Sequence, residues 1–224
     1  MTKIKTIDDI KKVKIKLLIW DLDETLWKGT IDEEKILLNV ELANIIKKLN
    51  NHGIINSICS KNNHDVAKRE LMFLKIWKEF IMPEINWKPK GPIIKKMVKS
   101  FQLRPPNILF IDDNQHNLEE AIHYLPQINI LNSKNPKLLK ILNTLLEKSK
   151  LDNRKRFKEY QVLEKKSIEK NNFESNEEFL KTSNIVIQIE NKCSKYINRI
   201  EELINRTNQL NFTKNRENKI KLKN

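Results

Sequence analysis

The chain has 224 residues, enough for one good-sized core and a smaller appendage, and its composition is that of a globular protein. Its 43 Lys or Arg against 29 Asp or Glu give a formal charge of +14, yet lysine far outnumbers arginine and no aromatic-interleaved arginine stripe appears, so nucleic acid is not an expected partner. No apolar run approaches the roughly 18 residues of a membrane span, the basic start Lys3–Lys16 lacks the apolar stretch of a secretory signal, and Cys59 and Cys193 cannot build a disulfide framework or zinc site. A cytoplasmic protein is expected.

In chain order, the first apolar run is Leu17–Trp20, and it delivers Asp21 and Asp23 to its carboxyl end. Residues two apart on a strand point the same way, so these carboxylates are expected to share one site. Helical patterns over 36–49, 65–77, 92–101, 118–124 and 136–148 alternate with further apolar runs at Ile54–Cys59, Asn107–Ile111 and Ile128–Leu131. The alternation predicts βαβ units and a parallel sheet, with all strand carboxyl ends on one edge, where open α/β sheets bind ligands. Beyond Lys148 the texture becomes charged and helical. Ile185–Glu190 reads as one strand and Tyr196–Asn208 as one amphipathic helix. Residues 150–224 hold 18 Lys or Arg against 11 Asp or Glu, half of the net charge. The expected division is therefore a core at 1–149 and a basic extension at 150–224.

Three further segments should meet the Asp pair. Ser60, in Ile58-Cys59-Ser60-Lys61-Asn62-Asn63, follows the second strand and opens a helix. A hydroxyl and free amides there would seat a phosphate, although Ser60 or Asn63 could equally cap that helix. Lys90, in Trp87-Lys88-Pro89-Lys90-Gly91-Pro92, stands just ahead of another helix and would neutralise phosphate. Asp112 and Asp113 end the strand Ile108–Ile111, a placement that suits a Mg²⁺ ligand with a supporting neighbour. Only 35 residues separate Thr25 from Ser60 and 30 separate Ser60 from Lys90. Neither interval leaves room for a lid domain, so the site should be open.

Taken in this order, the four segments resemble the motifs of the haloacid dehalogenase (HAD) superfamily. The resemblance implies an α/β, Rossmann-like three-layer sandwich without a cap. Asp21 would be the nucleophile and Asp23 the general acid and base. Thr25 and Ser60, with Lys61 and Asn62 beside them, would bind phosphoryl oxygens, and Lys90 would stabilise them. Mg²⁺ would be held by Asp21, the Asp23 carbonyl and Asp112, and Asp113 would orient Lys90 or add to the metal shell.

Finer details resemble the FkbH-like, class IIIC branch linked to polyketide assembly. These are Trp20–Trp27, Ile58–Asn62, Trp87–Lys90 and Phe110–Asn114, with Asn176–Leu180 and Ile204–Arg216 further on. That branch implies transfer of a glyceryl unit from 1,3-bisphosphoglycerate, a phosphorylated three-carbon metabolite, to an acyl carrier protein. The extension would then begin an acyltransferase-like segment. Cys59 would carry the acyl group as a thiolate of lowered pKa at a helix N-terminus beside Lys61, or be a small buried residue ending a strand. Lys28 and Gln115 depart from the branch pattern. Two other readings are a capless phosphatase acting on phosphoprotein or small phosphate esters, and a non-catalytic docking module whose basic extension binds an acidic partner.

Overall fold

The computed structural model describes residues 6–31, 36–171, 186, 188, 189 and 193–206. In chain order the elements are α1 (Ile7–Lys11), β1 (Leu17–Trp20), β2 (Trp27–Lys28), β3 (Leu37–Leu38), α2 (Val40–Asn51), β4 (Ile55–Ser60) and α3 (His64–Phe73). Then come β5 (Glu84–Ile85), α4 (Lys90–Ser100), β6 (Ile108–Asp112), α5 (Gln115–Tyr124), β7 (Asn129–Asn132), α6 (Leu138–Lys148) and α7 (Lys155–Asn171). Five strands form one parallel sheet in the order β5-β4-β1-β6-β7.

Alternation along the strands builds two hydrophobic layers. Leu18 and Trp20 of β1, with Leu109 and Ile111 of β6, pack against α2, α3 and α6. Leu17, Ile19, Ile108 and Phe110 face the opposite way, towards α4, α5 and Phe157 of α7. The result is a helix–sheet–helix sandwich with a buried central sheet, as all-parallel strands require.

The chain moves outward from β1 through β4 to β5, then crosses back to β6 on the other side of β1. The strand order thus reverses between β1 and β6, and the carboxyl edge there is the expected ligand crevice. Among the described residues no separate domain interrupts these connections. Between β1 and β4 lie only the β2–β3 hairpin and α2.

The four strands expected within the first 149 residues are present, three of them displaced by one residue. The expected helix 36–49 begins later, at Val40, because Leu37 and Leu38 pair with Lys28 and Trp27 and the Asn39 side chain accepts from the Leu42 N–H at 3.1 Å. The expected helix 65–77 stops at Phe73, and Lys75 takes a left-handed φ of 57°. Two-residue β5 carries too little pattern to be read from sequence.

The sequence places a division at 149/150. The chain divides into compact units Met1–Asn172 and Phe173–Asn224. Helix α7 belongs to the first because it buries Phe157, its Tyr160 hydroxyl donates to the Phe101 carbonyl at 2.9 Å, and Glu164 accepts from the Met82 N–H at 2.6 Å. In the second unit a helix spans Ile197–Arg206. The expected strand 185–190 and the motifs 176–180 and 204–216 fall on positions that are undescribed in whole or large part. Among the described residues no helix is long and apolar enough to cross a membrane.

Candidate active site

Register brings the site together. β1 and β6 pair through Trp20 and Ile111, so Asp21 and Asp112 follow side by side, and the Asp21 N–H donates to the Ile111 carbonyl at 3.0 Å. Both side chains continue the alternation that faces α4. The first residue of that helix is Lys90, whose ammonium lies over Phe110, 5.9 Å from the ring centroid. Lys90 Nζ contacts Asp21 Oδ1 at 2.6 Å and Asp112 Oδ2 at 2.7 Å, and all three side chains are buried.

Asp112 is fixed further. Its Oδ1 accepts from the Asn114 N–H at 2.8 Å, and Asn117 Nδ2 donates to both of its oxygens at 3.1 and 3.2 Å. Burial raises the Asp21 carboxyl to about 6 and nearby Asp112 adds to the rise, while Lys90 and a hydrogen bond from Ser60 oppose it. Desolvation disfavours the Lys90 cation, but the charges of Asp21 and Asp112 outweigh it and hold the ammonium above its ordinary range.

The chain leaves the sheet at Asp21, so Asp23 does not continue the strand as its spacing suggested. The Leu22 carbonyl gathers the N–H groups of Thr25, Leu26 and Trp27 at 3.2, 2.8 and 3.3 Å, and Glu24 occupies a left-handed φ of 52°. This turn points Asp23 at different partners. Its Oδ1 accepts from Trp27 Nε1 at 2.8 Å and its Oδ2 from Asn62 Nδ2 at 2.9 Å. The two carboxylates are thus neighbours with separate supports.

Oxygen atoms of Asp21, Asp112 and Asp113 lie within 4.8 Å of one another. This all-carboxylate donor set suits a hard divalent cation of the Mg²⁺ type. The three carboxylates contact the two ammonium groups of Lys90 and Lys134, an excess of one negative charge that such a cation would offset. The Asp23 side chain is outside the converging trio. Asp113 contacts Lys134 at 2.9 Å rather than orienting Lys90, a part taken by Asp112 and Asp21.

Other expected residues surround this centre. Ser60 ends β4 instead of opening a helix, because α3 begins at His64 with Asn63 as its cap. Thr25 Oγ1 donates to Ser133 Oγ at 3.2 Å. Lys61 reaches Asn117 at 3.5 Å, and Asn62 holds Asp23.

Of the two readings of Cys59, its position is that of a small buried residue near the end of a strand. Cys59 is the register neighbour of Asp21, yet it is fully buried in the layer beneath α4 and lies four residues before the Asn63 cap. Burial pushes its thiol up, far from the lowered value an acyl carrier would need. Trp27, Asn117 and Ser133 are positioning residues that sequence reasoning missed. Only the four-residue spacing of Trp27 from Asp23 was a local signal.

No protein-family model matches this chain, and no curated protein matches it. Among solved structures it is similar to the N-terminal, phosphatase-domain part of a Bacteroides fragilis protein, crystallised with Mg, at 27% identity and a TM-score of 0.53. The likeness covers 63% of this chain and 42% of that one, so the chain spans well under half of that relative. A HAD-superfamily hydrolase from Ehrlichia chaffeensis has 14% identity and a TM-score of 0.48, covering 60% of this chain and 98% of the other. The 3-deoxy-D-manno-octulosonate 8-phosphate phosphatase of Moraxella catarrhalis, in complex with magnesium, phosphate and KDO, has 18% identity and a TM-score of 0.45, covering 62% and 90%. The fold is an α/β Rossmann-like fold, shared with the Mg-bound phosphatase-domain part of the Bacteroides protein.

Proposed function

We propose that this protein is a Mg²⁺-dependent phosphohydrolase that carries phosphate transiently on Asp21. The observation that supports this most directly is the buried Lys90 ammonium at 2.6 and 2.7 Å from Asp21 and Asp112, beside a converging carboxylate trio. In the ionised state an Asp21 oxygen attacks phosphorus while the leaving oxygen takes a proton from Asp23. Water then attacks the phospho-aspartate and gives a proton back to Asp23, releasing phosphate and restoring Asp21. Trp27 and Asn62 hold Asp23 in place through both steps. Lys90, assisted by the hydroxyls of Ser60 and Thr25, offsets the phosphoryl charge. Mg²⁺ held by Asp21, Asp112 and Asp113 with the Asp23 carbonyl would supply the remaining charge neutralisation, and the Mg-bound Bacteroides structure supports that choice of cation.

For the substrate we infer 1,3-bisphosphoglycerate, with an acyl carrier protein of polyketide biosynthesis as acceptor. Asp21 would take the ester phosphate, and the carrier thiol would displace the acyl phosphate. The sequence resemblance and the absence, among the described residues, of an inserted domain at the carboxyl edge support this reading. Burial of Cys59 favours simple hydrolysis of a phosphoprotein or small phosphate ester as the second reading.

Phosphate release should be followed with acyl phosphates and phosphate esters, with and without Mg²⁺. Release that requires Mg²⁺ and disappears in Asp21→Asn is expected. No Mg²⁺-dependent release from either class refutes the enzyme reading. Mass spectrometry of a carrier protein incubated with enzyme, Mg²⁺ and bisphosphoglycerate decides the finer question: an added glyceryl mass supports transfer, and phosphate release without it leaves hydrolysis alone.

A further inference from the structure

The amino-terminal edge of the sheet, opposite the candidate active site, carries an open cavity of about 1240 Å³. Its walls come from Val13–Lys16 ahead of β1, the turn at 52–54 ahead of β4, Phe101–Leu103, and the first turns of α7. Lys16 immediately precedes β1 and Asp21 immediately follows it. At about 3.3 Å per residue the two ends are on the order of 16 Å apart, so this cavity is not an arm of the acidic site.

Its chemistry is the reverse of that site. Lys14, Lys16 and Arg156 line it, and Arg104 is close enough to act on Lys16. Among the described residues none of these four forms an ion pair. The acids at hand are otherwise placed. Asp152 spends Oδ2 on the Arg156 N–H at 2.8 Å, and Glu159 is exposed. Lys148 is already engaged by the carbonyls of Ile10, Lys11 and Val13.

Lys16 is half-buried. Desolvation, then Arg156, Lys14 and Arg104, push its ammonium below its ordinary value. A basic chain scatters cations over its surface, where water screens them. Here Lys14, Lys16 and Arg156 line one concavity with Arg104 acting on Lys16 from nearby, and like charges so gathered are relieved by a bound anion. An apolar portion of the wall comes from Leu103, Leu163 and the Tyr160 ring, over which the Arg156 guanidinium stands at 5.7 Å. The volume far exceeds what one phosphate ion fills and leaves room for a larger phosphorylated molecule.

We propose that this cavity binds a small phosphorylated molecule with an apolar or aromatic body, of the nucleoside-phosphate class. Lys14, Lys16, Arg104 and Arg156 take the phosphates, and the leucine and tyrosine wall takes the ring. This inference is independent of the chemistry assigned to Asp21.

Isothermal titration of the full chain with ATP, in EDTA so that the acidic site recruits no metal, tests it. ATP should bind and raise the melting temperature, and inorganic phosphate should bind at least about tenfold more weakly. Lys14 and Arg104 are both exposed, so the double variant Lys14→Gln with Arg104→Gln should fold and keep or raise the ligand-free melting temperature. It should weaken ATP about tenfold or more, whereas Asp21→Asn should leave ATP binding unchanged. The proposal is overturned if ATP does not bind, if the double variant binds it as well as the parent, or if Asp21→Asn abolishes binding. It is also overturned if a single-stranded oligonucleotide displaces ATP and binds more tightly, since the face would then be an extended polyanion surface.

Discussion

A lysine buried between two carboxylates makes each group depend on the others. Removing one member of such a cluster typically costs about 3–5 kcal/mol, because the charge left behind has no partner. Lys90→Met should therefore lower stability by about that amount in chemical denaturation without metal, and an unchanged midpoint would show that the contacts of Lys90 are not structural. Asp21 has a pH consequence. Its folded pKa of about 6 is above the ordinary 3.8, so the folded state holds this proton more tightly than the unfolded chain. Its contribution to metal-free stability is present at low pH and is lost as pH rises from about 4 through 6. A cation that needs the carboxylate must displace that proton, so apparent Mg²⁺ affinity by calorimetry should fall as pH drops below about 6, with proton uptake by buffer. An affinity independent of pH between about 5 and 7 contradicts the assignment of Asp21 to the metal. At this scale Asp21, Ser60, Lys90 and Asp112 were legible because each ends an apolar run or opens a helix. Ser133 was not, since it meets Thr25 from 108 residues away, and Trp27 and Asn117 were not, since they reach Asp23 and Asp112 across turns of four and five residues whose geometry no hydrophobic pattern marks.

Two elements set how closely the parts of the site approach. Helix α4 packs on α5 through Gly91, where an added Cβ would overlap the Tyr124 ring and come to 3.0 Å from Glu120 Cγ. Gly91→Ala should cost about 1–3 kcal/mol and shift Lys90 at the adjoining position. A lowered melting temperature with reduced phosphate release is the expected pair of readouts, and a neutral substitution would show that α4 can move freely. On the other face, Asn56 of β4 is fully buried. It accepts from Trp20 Nε1 at 2.9 Å and donates to Asn50 Oδ1 at 2.9 Å, while Asn50 Nδ2 bonds Glu79 and Glu79 pairs with Arg154. Asn56→Ala would strand the Trp20 donor, and a loss of about 3 kcal/mol in denaturant unfolding is expected. The periodicity of β1, β4, β6 and β7 was readable because strands buried on both faces are apolar throughout. Helix ends were less so. Asn39 and Asn63 caps and the Lys75 left-handed residue decided them, and asparagine is too common in this chain for a cap to stand out.

The whole molecule extends its core further along the chain than composition implied. Charged α7 resembles a solvated segment in sequence, yet Phe157, Tyr160 and Glu164 tie it to the first unit. A chain ending at Ser149 should melt well below one ending at Asn172, and equal melting temperatures would detach α7 from the core. The central claim at this scale is that the reversal point of the sheet serves to place phosphate on Asp21. Its most direct test is acid quench of the enzyme during turnover of a labelled phosphate substrate with Mg²⁺, followed by peptide mapping. Label on the peptide bearing Asp21, absent from Asp21→Asn along with phosphate release, is the predicted result. Continued turnover by Asp21→Asn, or label on another residue, would contradict it.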